Sequence, residues 1–240
     1  MNEFIKDKIL YIVFRHKSSS ERYVKWLRKK GVRVGKNTVF YTPWNINIDM
    51  QRPWLIEIGD NVHITLGVTI LQHGYDWAVL KRKYGDVLGS AGKVKIGNNV
   101  FIGMKSTILK GVTIGDNVII GANSLVNKNL PSNGVYAGNP AKFIMSLDDY
   151  YEKRKNEQIR EAKELVKEYY KCYGKPPKEE VLREFFWLFT NRNTELLKDF
   201  NDVNKLEGNF EFTMQVYKEN QPVFNGYYEF LEHCNIHNIT

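Results

Sequence analysis

The chain has 240 residues, 42% hydrophobic and 26% charged, a balance that suits one large globular domain or one domain with an appendage. Its net charge of +8 fits either an acidic partner or a generally basic surface, and no nucleic-acid-binding motif accompanies it, so no nucleic-acid partner is expected. Two cysteines, Cys172 and Cys234, exclude a disulfide framework; they suit a reducing compartment, and a cytoplasmic location is expected.

The first apolar run, Ile9 to Phe14, is too short to span a bilayer, and no small-residue cleavage site follows it. Neither a transmembrane segment nor an export signal is expected. Residues 2–16 read as a helix, with Phe4, Ile5, Lys8, Ile9, Ile12 and Val13 spaced for one face. Ser18 to Ser20 offer N-caps for a second helix over about 20–30 that ends at Gly31, with Tyr23, Trp26 and Leu27 as its buried stripe. Residues 1–30 are thus expected to form a helical cap.

Residues 31–146 carry a repeat. From Ile96 the chain reads in sixes: IGNNVF, IGMKST, ILKGVT, IGDNVI, IGANSL, VNKNLP. An aliphatic residue recurs at Ile96, Ile102, Ile108, Ile114, Ile120 and Val126, and earlier at Ile58, Ile64 and Ile70. A period of six is neither helical nor a simple alternation. It is the hexapeptide period of a parallel β-helix, with three units to a coil and the aliphatic residue inward. The Gly-Asp-Asn and Gly-Asn-Asn tripeptides are expected at corners, where both residue types tolerate positive φ.

The repeat begins degenerate. Val34-Gly35 lies 24 residues before Ile58, read as four whole units, and Phe40 and Ile46 keep the phase while Arg52 breaks it. After Ile70 the phase breaks again, with Ile96 26 residues on, two more than four units. Residues 74–95 are expected to form a loop thrown out from a coil, and long loops in compact repeats are usually functional. His73 stands at the root of that loop, where a side chain can project without disturbing the stacked core. His63 falls at a corner of a regular unit. Trp44, Trp54, Tyr75 and Trp77 offer flat faces on which a ligand can stack, or alternatively edge packing. Asp76 and Asp86 are candidates to orient His73.

From residue 147 to 240 the composition turns helical. Tyr151, Ile159, Ala162, Val166, Tyr169 and Tyr173 form a stripe, Pro176 and Pro177 break it, and VLREFFWLF is apolar on too many sides for an exposed helix. The trio His233, Cys234 and His237 near the C-terminus is read as incidental. The expected fold is therefore mainly β: a parallel β-helix with N-terminal helices and a C-terminal α-helical extension.

Three segments carry a family resemblance: IGDNVHITLGVTILQH (58–73), IGNNVFIGMKSTILKGVTIGDNVIIGANSLVNK (96–128) and AGNPAK (137–142). With the degenerate first coil they cover about half of the chain. On these residues the sequence resembles the hexapeptide-repeat acetyltransferases with a left-handed parallel β-helix, nearest the galactoside and maltose O-acetyltransferase branch and its relatives in polysaccharide biosynthesis. The resemblance implies homotrimers with active sites between subunits, acetyl-coenzyme A as co-substrate, and a small-molecule or glycan acceptor. It implies His73 as general base and Asn45 as an acceptor contact. It further implies Met104, Ala122, Asn127, Lys128 and Lys142 as cofactor contacts. A second family arginine is Met145 here.

Acetyl transfer from a thioester to a hydroxyl needs the alcohol proton removed as attack begins, a task matched to neutral imidazole. The thioester is already activated, so no metal is expected. A zinc lyase on the same scaffold needs three converging histidines, and only His63 and His73 fall in repeats. The same base and cofactor would serve N-acetylation of an amino sugar or antibiotic. A non-catalytic trimeric scaffold is the other alternative.

Overall fold

The computed structural model describes residues 3–206 and 208–236, so His237 lies outside the described residues. The chain divides into two compact units, Met1–Tyr150 and Tyr151–Thr240.

The first unit is built from three sheets. The first sheet stacks β1 (Arg33–Val34), β4 (Ile56–Ile58), β7 (Val94–Ile96) and β10 (Thr113–Ile114). The second stacks β2 (Val39–Phe40), β5 (Val62–Ile64), β8 (Val100–Ile102), β11 (Val118–Ile120), β13 (Gly134–Ala137) and β14 (Lys142–Ser146). The third stacks β3 (Asn47–Ile48), β6 (Thr69–Ile70), β9 (Thr107–Ile108) and β12 (Leu125–Val126). From β1 to β12 successive strands enter successive sheets, and every pairing is parallel except β13 with β14. This is a parallel β-helix. The repeated aliphatics stack inside it: Ile58 on Ile96 on Ile114, Ile64 on Ile102 on Ile120, Ile70 on Ile108 on Val126, all essentially fully buried. Each such burial contributes roughly 1.5–3 kcal/mol.

A regular coil is 18 residues long, as from Asn98 to Asp116. That ruler corrects two spacings. Val34 pairs directly with Ile58, so 24 residues make one coil and not four face-preserving units. The excess forms 3-10 turns at Pro43–Asn45 and Pro53–Leu55. The next coil spans 38 residues, because a segment is inserted between the third and first sheets. The expected loop contains a helix, α3 (Trp77–Tyr84), closed by Gly85 at φ 85°.

The Gly-Asp-Asn and Gly-Asn-Asn tripeptides form corners, as expected, and in them the asparagine carries the positive φ. Positive φ falls on asparagine: Asn37, Asn61, Asn99, Asn117 and Asn133, all between 53° and 61°. Their side chains form a ladder along one edge, with Nδ2 of Asn99 donating to Asn117 Oδ1 (2.8 Å) and Asn117 donating in turn to Asn133 (2.9 Å). The preceding glycines do not use their conformational freedom. They let coils approach: a Cβ on Gly59 would stand 2.4 Å from the carbonyl oxygen of Gly97. Replacing Asn117 by Ala removes two ladder bonds and places a Cβ-branchless but αL-averse residue at the corner, a loss of about 1–3 kcal/mol. Asn117→Gly keeps the backbone preference and should lose about half as much. Urea unfolding of both variants checks this ordering.

Two helices precede the coils. α2 (Ser20–Lys29) starts at Ser19, whose side chain accepts from Arg22 N–H, and buries Tyr23, Val24 and Leu27 against the β-helix core. Among the described residues, α1 (Glu3–Phe14) has no buried side chain. It is tied by the Asp7–Arg22 ion pair (2.8 Å) and by Phe14 stacked on Trp44. Its Ile5, Ile9, Ile12 and Val13 face outward.

The second unit holds the rest of α4 (Leu147–Tyr173), together with α5 (Lys198–Lys205), α6 (Phe210–Glu219) and α7 (Tyr227–His233). The VLREFFWLF segment forms two 3-10 turns, which supply Leu182, Phe186, Leu188 and Phe189 to a core completed by Ala162, Val166, Phe200, Tyr217 and Phe230. Helices therefore hold more of the described residues than strands do. The description mainly β applies to the repeat portion and not to the chain.

Candidate functional site

His73 lies where the third sheet hands over to the inserted segment. The segment is pinned at its root: His73 bridges Ala91 in antiparallel fashion, Gly74 N–H donates to Ser90 O (3.2 Å), and Gly92 N–H donates to Gln72 O (2.9 Å). The backbone at His73 is therefore fixed by both ends of the insertion.

The imidazole is fixed as well. Nδ1 lies against Oδ2 of Asp49, with the two side chains only 14% and 10% exposed. Nδ1 is also 3.2 Å from Gln72 Oε1. Gln72 is wholly buried and donates from Nε2 to the Asp49 carbonyl (2.8 Å). Oδ1 of Asp49 accepts from Gln51 N–H (3.1 Å). Oxygens of Asp49 and Gln72 both face Nδ1, an arrangement that favours the tautomer with its proton there and the Nε2 lone pair left for chemistry.

The carboxylate at His73 is thus Asp49, neither Asp76 nor Asp86. Asp49 follows β3 directly, and β3 pairs with β6, which leads to His73. Sequence reasoning missed it, because coil stacking alone brings the two together. A buried glutamine beside the histidine was the available signal. Arg52, three residues on, buries an Nη1 with no hydrogen-bond partner among the described residues.

Tyr75 sets its ring edge-on to His73 at 5.5 Å, and Trp77 lies 5.7 Å from Tyr75. Tyr75 thus lies beside the imidazole, and Trp77 reaches it only through Tyr75. Trp44 is different: its stack on Phe14, with centroids 5.2 Å apart, commits it to packing. Asn45 is exposed at the end of its 3-10 turn, before the strand that leads to Asp49. His63 faces outward on the second sheet, 3.1 Å from the Tyr41 hydroxyl.

The remaining five residues fall on two edges. Met104 and Ala122 stand above one another at the corner between the second and third sheets, because Ile102 pairs with Ile120. Lys142 pairs with Ala137 at the end of that edge. Asn127 and Lys128 follow β12, whose Val126 stacks on Ile108 and Ile70, and so share the edge of His73. Met104, Ala122, Asn127, Lys128 and Lys142 are all exposed.

Comparison with known proteins bears on this arrangement. The bacterial transferase hexapeptide (six repeats) family matches residues 93–128. Protein CapG of Staphylococcus aureus is 45% identical over 124 residues, which span 52% of this chain and 71% of CapG. The chain belongs to the hexapeptide-repeat transferase family. Putative acetyltransferase YvoF of Bacillus subtilis (strain 168) is 36% identical over 132 residues, 54% of this chain and 70% of YvoF. Galactoside O-acetyltransferase of Escherichia coli (strain K12) is 40% identical over 118 residues, 49% of this chain and 55% of that protein. As a hexapeptide-repeat protein with acetyltransferase relatives, the chain is an acyltransferase.

Proposed function

We propose that the chain is an acetyl-coenzyme A-dependent O-acetyltransferase that modifies a hydroxyl of a sugar or glycan, with His73 as general base. The observation that carries this reading is the buried contact of Asp49 with His73 Nδ1 at the root of the inserted segment. Nε2 takes the acceptor proton as the hydroxyl oxygen attacks the thioester carbonyl. The tetrahedral oxyanion collapses to the acetyl ester and coenzyme A thiolate, which takes up a proton. Tyr75 and Trp77 suit a sugar face beside the imidazole. Asn45 is read as an acceptor contact, and Trp44 as packing. Galactoside O-acetyltransferase among the relatives supports the acceptor class.

The reading includes a homotrimer. The outward row of the second sheet runs Val39, His63, Phe101 and Ile119, whereas the first sheet shows Arg33, Glu57, Lys95 and Thr113. The apolar row is the face that suits another copy. Met104, Ala122 and Lys142 on one edge, and His73, Asn127 and Lys128 on another, fit a cofactor groove made from complementary edges of two copies. The handedness is read as left-handed. The division is read as a cap over 1–30, a β-helix domain over 31–146 and an extension over 147–240. No described helix is long and apolar enough to cross a membrane, and the assigned location is the cytoplasm.

A panel of mono- and oligosaccharides incubated with acetyl-coenzyme A, with thiol release as readout, tests the reading. Acetyl-dependent thiol release with at least one sugar, from a particle three times the 28.1 kDa chain, is the expected result. Failure of the protein to bind coenzyme A at millimolar concentration would favour a scaffold. Stoichiometric release with amino sugars alone would reassign it to N-acetylation.

A further inference from the structure

The second unit contains a cleft that the acyl-transfer site does not use. Its volume is about 760 Å³, and its walls come from α4, the 3-10 turns and α6. That size suits a ligand of several rings. Tyr151 and Phe212 line it with 59% and 58% of their surface exposed. Such exposure leaves flat apolar faces in water that the unit's own core does not cover. Gln158, Asn209 and Gln221 also line it. Their side-chain amides make no hydrogen bond to other described residues.

The cations of the cleft are already engaged. Arg192 spends its guanidinium on three carbonyls, those of Asn220 (2.8 Å), Thr190 (2.5 Å) and Trp187 (2.8 Å). Arg154 makes a bidentate pair with Glu161 (2.7 and 2.6 Å). Lys155 lies 5.0 Å from the Tyr151 ring centre and 3.5 Å from Glu152. Glu184 adds a carboxylate to the wall. A phosphate or polyanion therefore meets no uncommitted guanidinium here. What the walls offer is aromatic faces for C–H surfaces and amides that both donate and accept toward hydroxyls.

We propose that this cleft binds a neutral pyranose chain, a glycan of the class read above as the acceptor. The source of the ligand rests on the glycan reading above; the binding chemistry does not. The full chain is titrated calorimetrically, without acetyl-coenzyme A, with maltohexaose, cellohexaose, chitohexaose and a β-galactohexaose, and with a heparin hexasaccharide as the anionic comparison. At least one neutral hexasaccharide is expected to bind. Tyr151→Ala with Phe212→Ala should weaken it tenfold or more, with the circular dichroism spectrum retained because both rings are exposed.

Absence of binding by every neutral hexasaccharide overturns the proposal. So does affinity unchanged in the double variant, or binding of the heparin probe alone. Retained glycan binding by a protein with no acetyl transfer to any sugar would leave this cleft standing and remove the proposed activity.

Discussion

Replacing His73 by Ala should lower kcat for acetyl transfer by about two to four orders of magnitude, the range expected for loss of a general base. KM for acetyl-coenzyme A should change little, because the imidazole acts on the acceptor proton. The fold should survive, since the bridge from His73 to Ala91 uses the backbone and the inward stack at this corner is made by Ile70. Steady-state thiol release, with the particle mass measured alongside, checks this. Activity within a few-fold of the parent would remove His73 from the mechanism.

Asp49→Asn should cost about ten- to a hundredfold in kcat, less than loss of the base itself. An amide at this position can offer an N–H to Nδ1, which favours the tautomer carrying its proton on Nε2, the wrong nitrogen for a base. Gln72 Oε1 remains 3.2 Å from Nδ1 and limits the loss. The discriminating readout is the split: kcat should fall with KM for the acceptor nearly unchanged. A rise in KM alone would make Asp49 a structural residue.

The stacked aliphatics were legible because burial repeats with the same period as the sequence. Ile96, Ile102 and Ile108 go to three different sheets, yet each faces the same interior. Ser19 likewise announced α2 through the local chemistry of a cap. What could not be read was set by stacking between coils. Gly59 looks like a turn residue, but its reason lies in the next coil, at Gly97. Asp49 reaches His73 only because one irregular coil returns beside the next. α3 is short and exposed, so no buried stripe marked it. Trp44 reads as a stacking platform in the sequence, whereas Phe14, distant in sequence, covers its face. The core of the second unit was visible as an excess of apolar residues around Phe186, without a period to say how they pack.

Any stack of parallel coils ends in a row of unpaired N–H and C=O groups identical in kind to the rows that join its layers, and such a row is a template for end-to-end polymerisation. Here the last strand of the second sheet is met by a strand running the opposite way, with a register shift between Val135 and Tyr136. At the other end Phe40 N–H is taken by the Ser20 hydroxyl (2.9 Å). A parallel newcomer finds at β14 neither the direction nor the even spacing of a regular layer. The reversal closes this edge of the second sheet to a further parallel coil.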